Sequence, residues 1–366
     1  MSSWAPLALT TVTAALLAVP VAPALYELWK REDAAPLPTS RHDGRIANFA
    51  DVFRSRLEPL RPRLERCRAQ LEISRARVDG IEVLLVGCNA EDFDFDPSLV
   101  QGIAAVMFSR AALIPAGRVV DADIYADAAL ELEEGAALRA AVGRSDITLG
   151  KDSGVLRWLH ADGGIYLRRG SSAYGRLSAG QSIRMEPGCG FQRMHAPSIL
   201  TVDAGQDGDC VSVPSTAHVC ETSEDAQHLP ADRGEVFASS RPRLRVKGNF
   251  VLAPGETLNA NVITTGELQF GAGARLFGSV KSYRGAELEE GSCVHGSIVC
   301  GGTLRLGPRS FVTGPIMAEG DVLVARGCRV GEPDALTTIS SSGTQIAPGC
   351  QLHGTVWARV RGSVED

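Results

Sequence analysis

In the second half of the chain, apolar positions fall in pairs separated by one residue, and the pairs recur every 18 residues. Phe250/Leu252, Leu268/Phe270, Ala286/Leu288, Leu304/Leu306 and Val322/Val324 share one frame, and Thr344/Ile346 rejoins it after an insertion. Two side chains flanking one outward neighbour mark a short β-strand with both apolar groups on the same face. Leu258, Leu276, Val294, Val312, Val330 and Leu352 form another column, and Val262, Val280, Ile298 and Ile316 a further one. The triplets Gly278-Ser279-Val280, Gly296-Ser297-Ile298 and Gly314-Pro315-Ile316 keep the same period. Gly354-Thr355-Val356 follows 40 residues later, two periods plus four. Gly255, Gly273, Gly291 and Gly327 fall where corners belong, since left-handed backbone is cheap only for glycine.

A fixed period of this length is the mark of a β-solenoid, one repeat per rung. The period divides by six, which predicts a triangular rung of three sides. Thr264, Ser282, Cys300 and Ala318 stack into a column of small residues, so one side is narrow inside. An earlier block carries the same frame in Leu130/Leu132, Ile147/Leu149, Ile165/Leu167 and Ile183/Met185. Gly135, Gly170 and Gly188 sit at its corners, with Asp152 in the same place in one rung. Leu138, Val155, Ala173 and Phe191 form its next column, and a fainter rung begins near Ala112–Ile114 with Gly117 and Val120 in phase. The prediction is an all-β triangular β-helix of about five plus six rungs. With strands about 4.8 Å apart, coaxial blocks would make a rod of roughly 50 Å.

The pattern divides the chain into 1–29, 30–80, a first β-helix block with N-terminal cap over 81–203, a polar linker or loop over 204–243, a second block over 244–358 and a tail over 359–366. Residues 1–26 carry no charged side chain, and Trp4 and Trp29 bracket them. A helix of about 25 residues reaches about 37 Å, enough for a hydrocarbon core with an aromatic at each interface. Lys30 and Arg31 follow, then ten arginines between Arg41 and Arg77. The positive-inside rule places that flank in the cytoplasm. The rival is a cleaved secretory signal ending near Ala22-Pro23-Ala24, but a signal has positive charge before its apolar run and this one has it after. Ile46, Phe49, Phe53, Leu57, Leu60, Leu64 and Leu71 have helical spacing, interrupted by Pro59 and Pro62. The arginines there suit anionic lipid headgroups or, equally, pairing with Glu58, Glu65 and Glu72 on a solvated helix face. Ile81–Val86 reads as a strand.

A net charge of −6 argues against a general nucleic-acid binder. Nine scattered cysteines point to free thiols in a reducing compartment, with Cys328 and Cys350 in one column on neighbouring rungs. Residue patterns that could carry chemistry are sparse. The run Glu91-Asp92-Phe93-Asp94-Phe95-Asp96-Pro97 offers alternate carboxylates for a divalent ion, but its phenylalanines serve equally to plug the first rung. Cys210, His218, Cys220 and His228 supply four zinc-ligand types at a spacing that matches no standard arrangement. His295 and His353 precede two of the triplet glycines. A solenoid acyltransferase needs a histidine base, but an outward-facing variable position explains both. No cofactor, metal or catalytic site is predicted, and no Ser-His-Asp, phosphate-loop or H-E-x-x-H pattern is present.

Residues 248–356 resemble the bactofilins, polymer-forming bacterial cytoskeletal proteins. The resemblance rests on Leu304-Arg305-Leu306-Gly307-Pro308, Val312-Thr313-Gly314-Pro315-Ile316 and Gly320-Asp321-Val322-Leu323-Val324. It implies a right-handed triangular β-helix that assembles end to end into nonpolar filaments without a nucleotide. It also implies membrane association and a role in placing envelope- or cell-wall-building proteins. Gly278, Gly296, Gly314, Gly354, Leu276, Val294, Val312 and Leu352 are then structural repeat positions, and Trp4, Trp29, Lys30 and Arg31 mark a single-pass anchor in a bacterial inner membrane. The expected protein is a non-enzymatic, self-associating scaffold with its C-terminal part in the cytoplasm. The alternative is a left-handed hexapeptide-repeat acyltransferase. Open solenoid ends expose unpaired backbone groups, and the charged tail offers no lid, so the last rung is expected to be free for a partner.

Overall fold

The computed structural model describes Trp4, Val12, Thr13, Tyr26, residues 46–88, Phe93, and residues 100–203 and 241–365. Two units separate, Met1–Arg45 and Ile46–Asp366. In the first, Trp4, Val12, Thr13 and Tyr26 are helical. Among the described residues no helix is long and apolar enough to cross a membrane; Trp29, Lys30 and Arg31 lie outside those residues, as does most of the expected span. The 204–240 segment, the Glu91–Pro97 carboxylates, and Cys210, His218, Cys220 and His228 also lie outside them.

The second unit is a β-solenoid of about 13 turns, all of whose strands hydrogen-bond into one sheet. The apolar columns become ladders of paired residues. Phe250, Leu268, Ala286, Leu304, Val322 and Thr344 are successive partners. So are Leu258, Leu276, Val294, Val312, Val330 and Leu352. In the first block Ala112, Leu130, Ile147, Ile165, Ile183 and Ile199 align in the same way. Each ladder is buried where a turn covers it on both sides, while the residue between two inward positions, such as Gln269 or Arg305, is exposed. Thr264, Ser282, Cys300 and Ala318 are buried as expected. The hydroxyls of Thr264 and Ser282 donate to the carbonyls of Gly248 and Gly266 in the preceding turn, so a narrow side carries polar groups without leaving them unpaired. Cys328 and Cys350 are both buried free thiols.

Corners explain one glycine set. Gly255, Gly273, Gly291, Gly327 and Gly349 have φ between 68° and 78°, and Arg309 takes the sixth place in that column at 55°. Close stacking explains the other. A Cβ on Gly278, Gly296 or Gly354 would lie 2.2 Å from a carbonyl oxygen of the preceding turn, and on Gly314 2.6 Å from Gly296 O. Any side chain there would force two turns apart. The insertion forms a small excursion, with Glu332 bridged to Ala335, and the frame resumes when Ile316 pairs with Ile339.

Within each block every turn-to-turn pairing is parallel. The blocks themselves meet antiparallel, because Gly190–Thr201 pairs with Gln351–Val364. The C-terminal turn of the first block thus rests on the C-terminal turn of the second. The coil therefore reverses direction at this seam. The strand Gln351–Val364 absorbs most of the expected tail.

The segment before the solenoid forms α1 (Asn48–Leu57), a 3₁₀ turn (Glu58–Leu60) and α2 (Arg61–Gln70). Pro59 and Pro62 fall in the first turns of new segments, where a missing N–H costs nothing. Phe53, Leu57, Leu60, Leu64 and Cys67 pack on the outer faces of Val83, Leu85, Ala105, Met107 and Tyr125. Leu84 and Val86 of the same Ile81–Val86 strand point into the solenoid core, so this strand is covered on both sides.

Candidate functional site

Solenoid proteins act through their ends and faces, and the four block ends here differ sharply. At the N-terminal end of the first block the apolar positions are covered, with Ala112, Ile114 and Val120 buried, although Ile73–Val78 and Ala112–Ile114 each pair on one side only. Ile73–Val78 pairs antiparallel with Ile81–Val86, and Phe93 is buried edge-on against Phe108 with ring centroids 5.3 Å apart. Phe93 therefore serves as the plug.

The C-terminal ends of both blocks are closed by each other. Phe191, Met194, Ala196 and Ile199 are buried, as are Leu352, Val356, Ala358 and Val364 opposite. Corner backbone groups that would be orphaned at a free end are paired across the seam. Gly188 N donates to Val364 O at 3.1 Å and Gly349 N to Thr201 O at 2.8 Å. The Thr201 hydroxyl donates to Ala347 O at 2.8 Å and accepts from Cys350 N at 2.9 Å. The expectation that the last rung is free for a partner is therefore corrected: the chain itself occupies it. His353 is buried beside this seam, with Nδ1 2.8 Å from Pro197 O, rather than outward-facing.

The remaining end, at the start of the second block, is open among the described residues. Arg243–Val246, Phe250–Leu252 and Thr257–Leu258 each pair on one side only, with Asn261–Thr264, Leu268–Phe270 and Arg275–Phe277. Leu244 occupies the inward column above Val262, yet Leu244 is 40% exposed while Val262 is 1%. Phe250 and Leu258 are half-buried in columns whose next members, Leu268 and Leu276, are fully buried. The difference is that no described turn lies above them.

Two arginines of the helical segment fasten α1 and α2 to the solenoid: Arg54 pairs with Asp162 at 2.6 Å and Arg61 with Asp127 at 3.0 Å. Burial works to raise the Asp127 carboxyl. Hydrogen bonds from Arg144 and Tyr125 and the charges of Arg61 and Arg144 outweigh it and hold that group below the usual carboxylate range. His160 lies beneath α1, with Nδ1 2.7 Å from Ser178 Oγ and Nε2 3.2 Å from Asp162. A hydroxyl, an imidazole and a carboxylate are thus chained, with Ser178 buried. Burial, then the charge of Arg54, pushes the His160 pKa down.

His295 stacks flat on Phe277 at 4.7 Å and meets Phe311 edge-on at 5.8 Å. Burial lowers its pKa, and Nε2 has no hydrogen-bond partner, so nothing orients it as a base. Among the described residues no group of three His, Cys, Asp or Glu is placed to hold a metal. Gly278, Gly296, Gly314, Gly354 and the buried Leu276, Val294, Val312 and Leu352 are spacing and core positions of the coil. No family model matches the chain, and no curated protein or solved structure matches it significantly.

Proposed function

We propose that this protein is a membrane-tethered, non-enzymatic scaffold of the bactofilin type, which self-associates through the solenoid end formed by residues 243–258. The exposed Leu244, in a column where every covered residue is buried, is the observation that carries this reading. Three unpaired strand edges around an apolar cross-section are a template for further strands, and a second copy supplies a matching set. The resemblance of residues 248–356 to bactofilins supports self-association by solenoid ends. With the apolar positions of its other ends covered, the described residues of each chain leave one uncovered end, so the expected product is a closed pair joined tip to tip rather than a filament.

Charge constrains the pairing. Arg243 and Arg245 are exposed on one edge, and that edge set against itself repels. A two-fold axis that places it against the partner's Thr257–Leu258 edge, next to Glu256, removes the conflict and lets Phe250–Leu252 pair with itself. The uncharged 1–26 stretch and the cations that follow support an inner-membrane anchor with the solenoid in the cytoplasm. There the pair would position envelope-assembly proteins.

Sedimentation of the full chain in mild detergent tests the assembly. A two-chain particle that becomes one chain in Leu244→Glu/Leu258→Glu, with unchanged circular dichroism, is expected. A strict monomer at the highest attainable concentration overturns it. Extraction from cell membranes by alkaline carbonate overturns the anchor independently.

A further inference from the structure

A second surface exists only because the two blocks meet. Trp158, Arg176, Arg193 and Trp357 are register partners on four successive strands, the last of them from the second block. At about 4.8 Å per strand they span roughly 14 Å. Arg157 and Arg359 flank this row and line the same open groove, whose volume is about 690 Å³.

The groove's arginines differ from the others near it. Arg54, Arg61, Arg139 and Arg144 each pair with an aspartate. Among the described residues none of Arg157, Arg176, Arg193 and Arg359 pairs with a carboxylate, and no acid lines the groove. Arg193 is half-buried with its guanidinium 4.9 Å from the Trp357 ring, and its Nε is buried without a hydrogen-bond partner. Arg359 is held in place by donating to Glu319 O at 2.7 Å. Burial and the charge of Arg176 both lower the Arg193 pKa, which is the behaviour of a cation lacking its counter-ion. Partly buried charges are normally paired, because desolvation without compensation is costly. Guanidinium forks match phosphate oxygens two at a time, and two forks on adjacent strands suit two neighbouring phosphate groups.

We propose that this groove binds phosphate-bearing anions, with Arg176 and Arg193 as the central contacts and Arg157 and Arg359 at its rims. The shared chemistry belongs to a soluble diphosphate or to an anionic phospholipid headgroup.

The test uses the purified full chain and follows tryptophan fluorescence and heat while titrating inorganic pyrophosphate. Parallel titrations use dihexanoyl phosphatidylglycerol and dihexanoyl phosphatidylcholine, below the concentrations at which they form micelles. Saturable binding is expected, weakened about tenfold by Arg176→Gln and unchanged by the remote Arg305→Gln. Arg176 is exposed, so its variant should keep the fold, checked by circular dichroism. Pyrophosphate binding alone assigns a soluble ligand; tighter binding of the glycerol lipid than of the choline lipid assigns a headgroup. No binding of either, or binding that Arg176→Gln leaves intact, overturns the proposal. The groove lies at the seam, so these results are independent of assembly at the residue 243–258 tip.

Discussion

The triplet glycines sit too close to the preceding turn for a side chain, and Gly296→Ala measures that demand. A Cβ there would stand 2.2 Å from Gly278 O, 2.6 Å from Gly278 C and 3.0 Å from Ser279 N. Carbon and oxygen in ordinary contact are about 3.3 Å apart, so the two turns must separate locally by roughly 1 Å. All the offending atoms are backbone and cannot rotate away. Nearby inter-turn hydrogen bonds then stretch past their useful range: Gly278 N to His295 O at 3.2 Å, Ser297 N to Ser279 Oγ at 3.2 Å and Gly314 N to Gly296 O at 3.1 Å. Losing two or three at about 1 kcal/mol each outweighs the roughly 0.4–1 kcal/mol that alanine gains by restricting the unfolded chain. The expected net loss is about 2 kcal/mol, read from urea unfolding as a lower midpoint at unchanged slope. Hydrogen exchange should accelerate at amides 278–298. The control is Gly154→Ala, where the nearest atom is 3.9 Å away and φ is not positive; it should be neutral or slightly stabilising. Equal stability of the two variants would refute the account of the triplet glycines.

Two further outcomes follow from local geometry. Arg309→Gly should raise the melting temperature, because Arg309 holds φ of 55° in a column otherwise filled by glycine; a left-handed residue costs about 1–2 kcal/mol, of which glycine's unfolded freedom returns about 0.5–1. Acidification should loosen α1. His160 is neutral in the folded state and its pKa is lowered by burial and by Arg54, against the favourable charges of Asp162 and Asp51. The unfolded chain therefore binds the extra proton first, so stability is whole above about pH 6.5 and falls as pH drops, by at most about 1.4 kcal/mol per unit. Amide exchange across Asn48–Leu57 at pH 7 and pH 5 checks this, and a pH-independent pattern would exclude His160 as the cause.

The ladders were legible because an 18-residue period places chemically alike residues one above another. Leu276, Val294 and Val312 have no other reason to recur, and even the faint Ala112–Ile114 rung proved real. The seam was not legible. Nothing in the composition of Gly190–Thr201 or Gln351–Val364 distinguishes an edge that meets solvent from one that meets another edge, since both need apolar inward positions. Gly362 offered the one local hint: a Cβ there would lie 2.1 Å from the Phe191 ring, so it is glycine for the sake of the opposite block. The arginine groove was half visible. Arg157, Arg176 and Arg193 fall nearly one period apart, but Trp357 and Arg359 join them only through the reversal. The partners of Arg54 and Arg61 were not legible, because charge runs say nothing of distant carboxylates such as Asp162 and Asp127.

The antiparallel seam also sets a timetable for biosynthesis. A ribosome finishes Gly190–Thr201 about 160 residues before it finishes Gln351–Val364, which at 5–20 residues per second is roughly 8–33 s. Throughout that delay the nascent first half presents a raw strand edge, and neighbouring ribosomes on the same messenger present identical ones. Two such halves that find each other first would exchange their carboxy-terminal coils, so domain-swapped dimers are the characteristic by-product of rapid overexpression, and slower translation should suppress them.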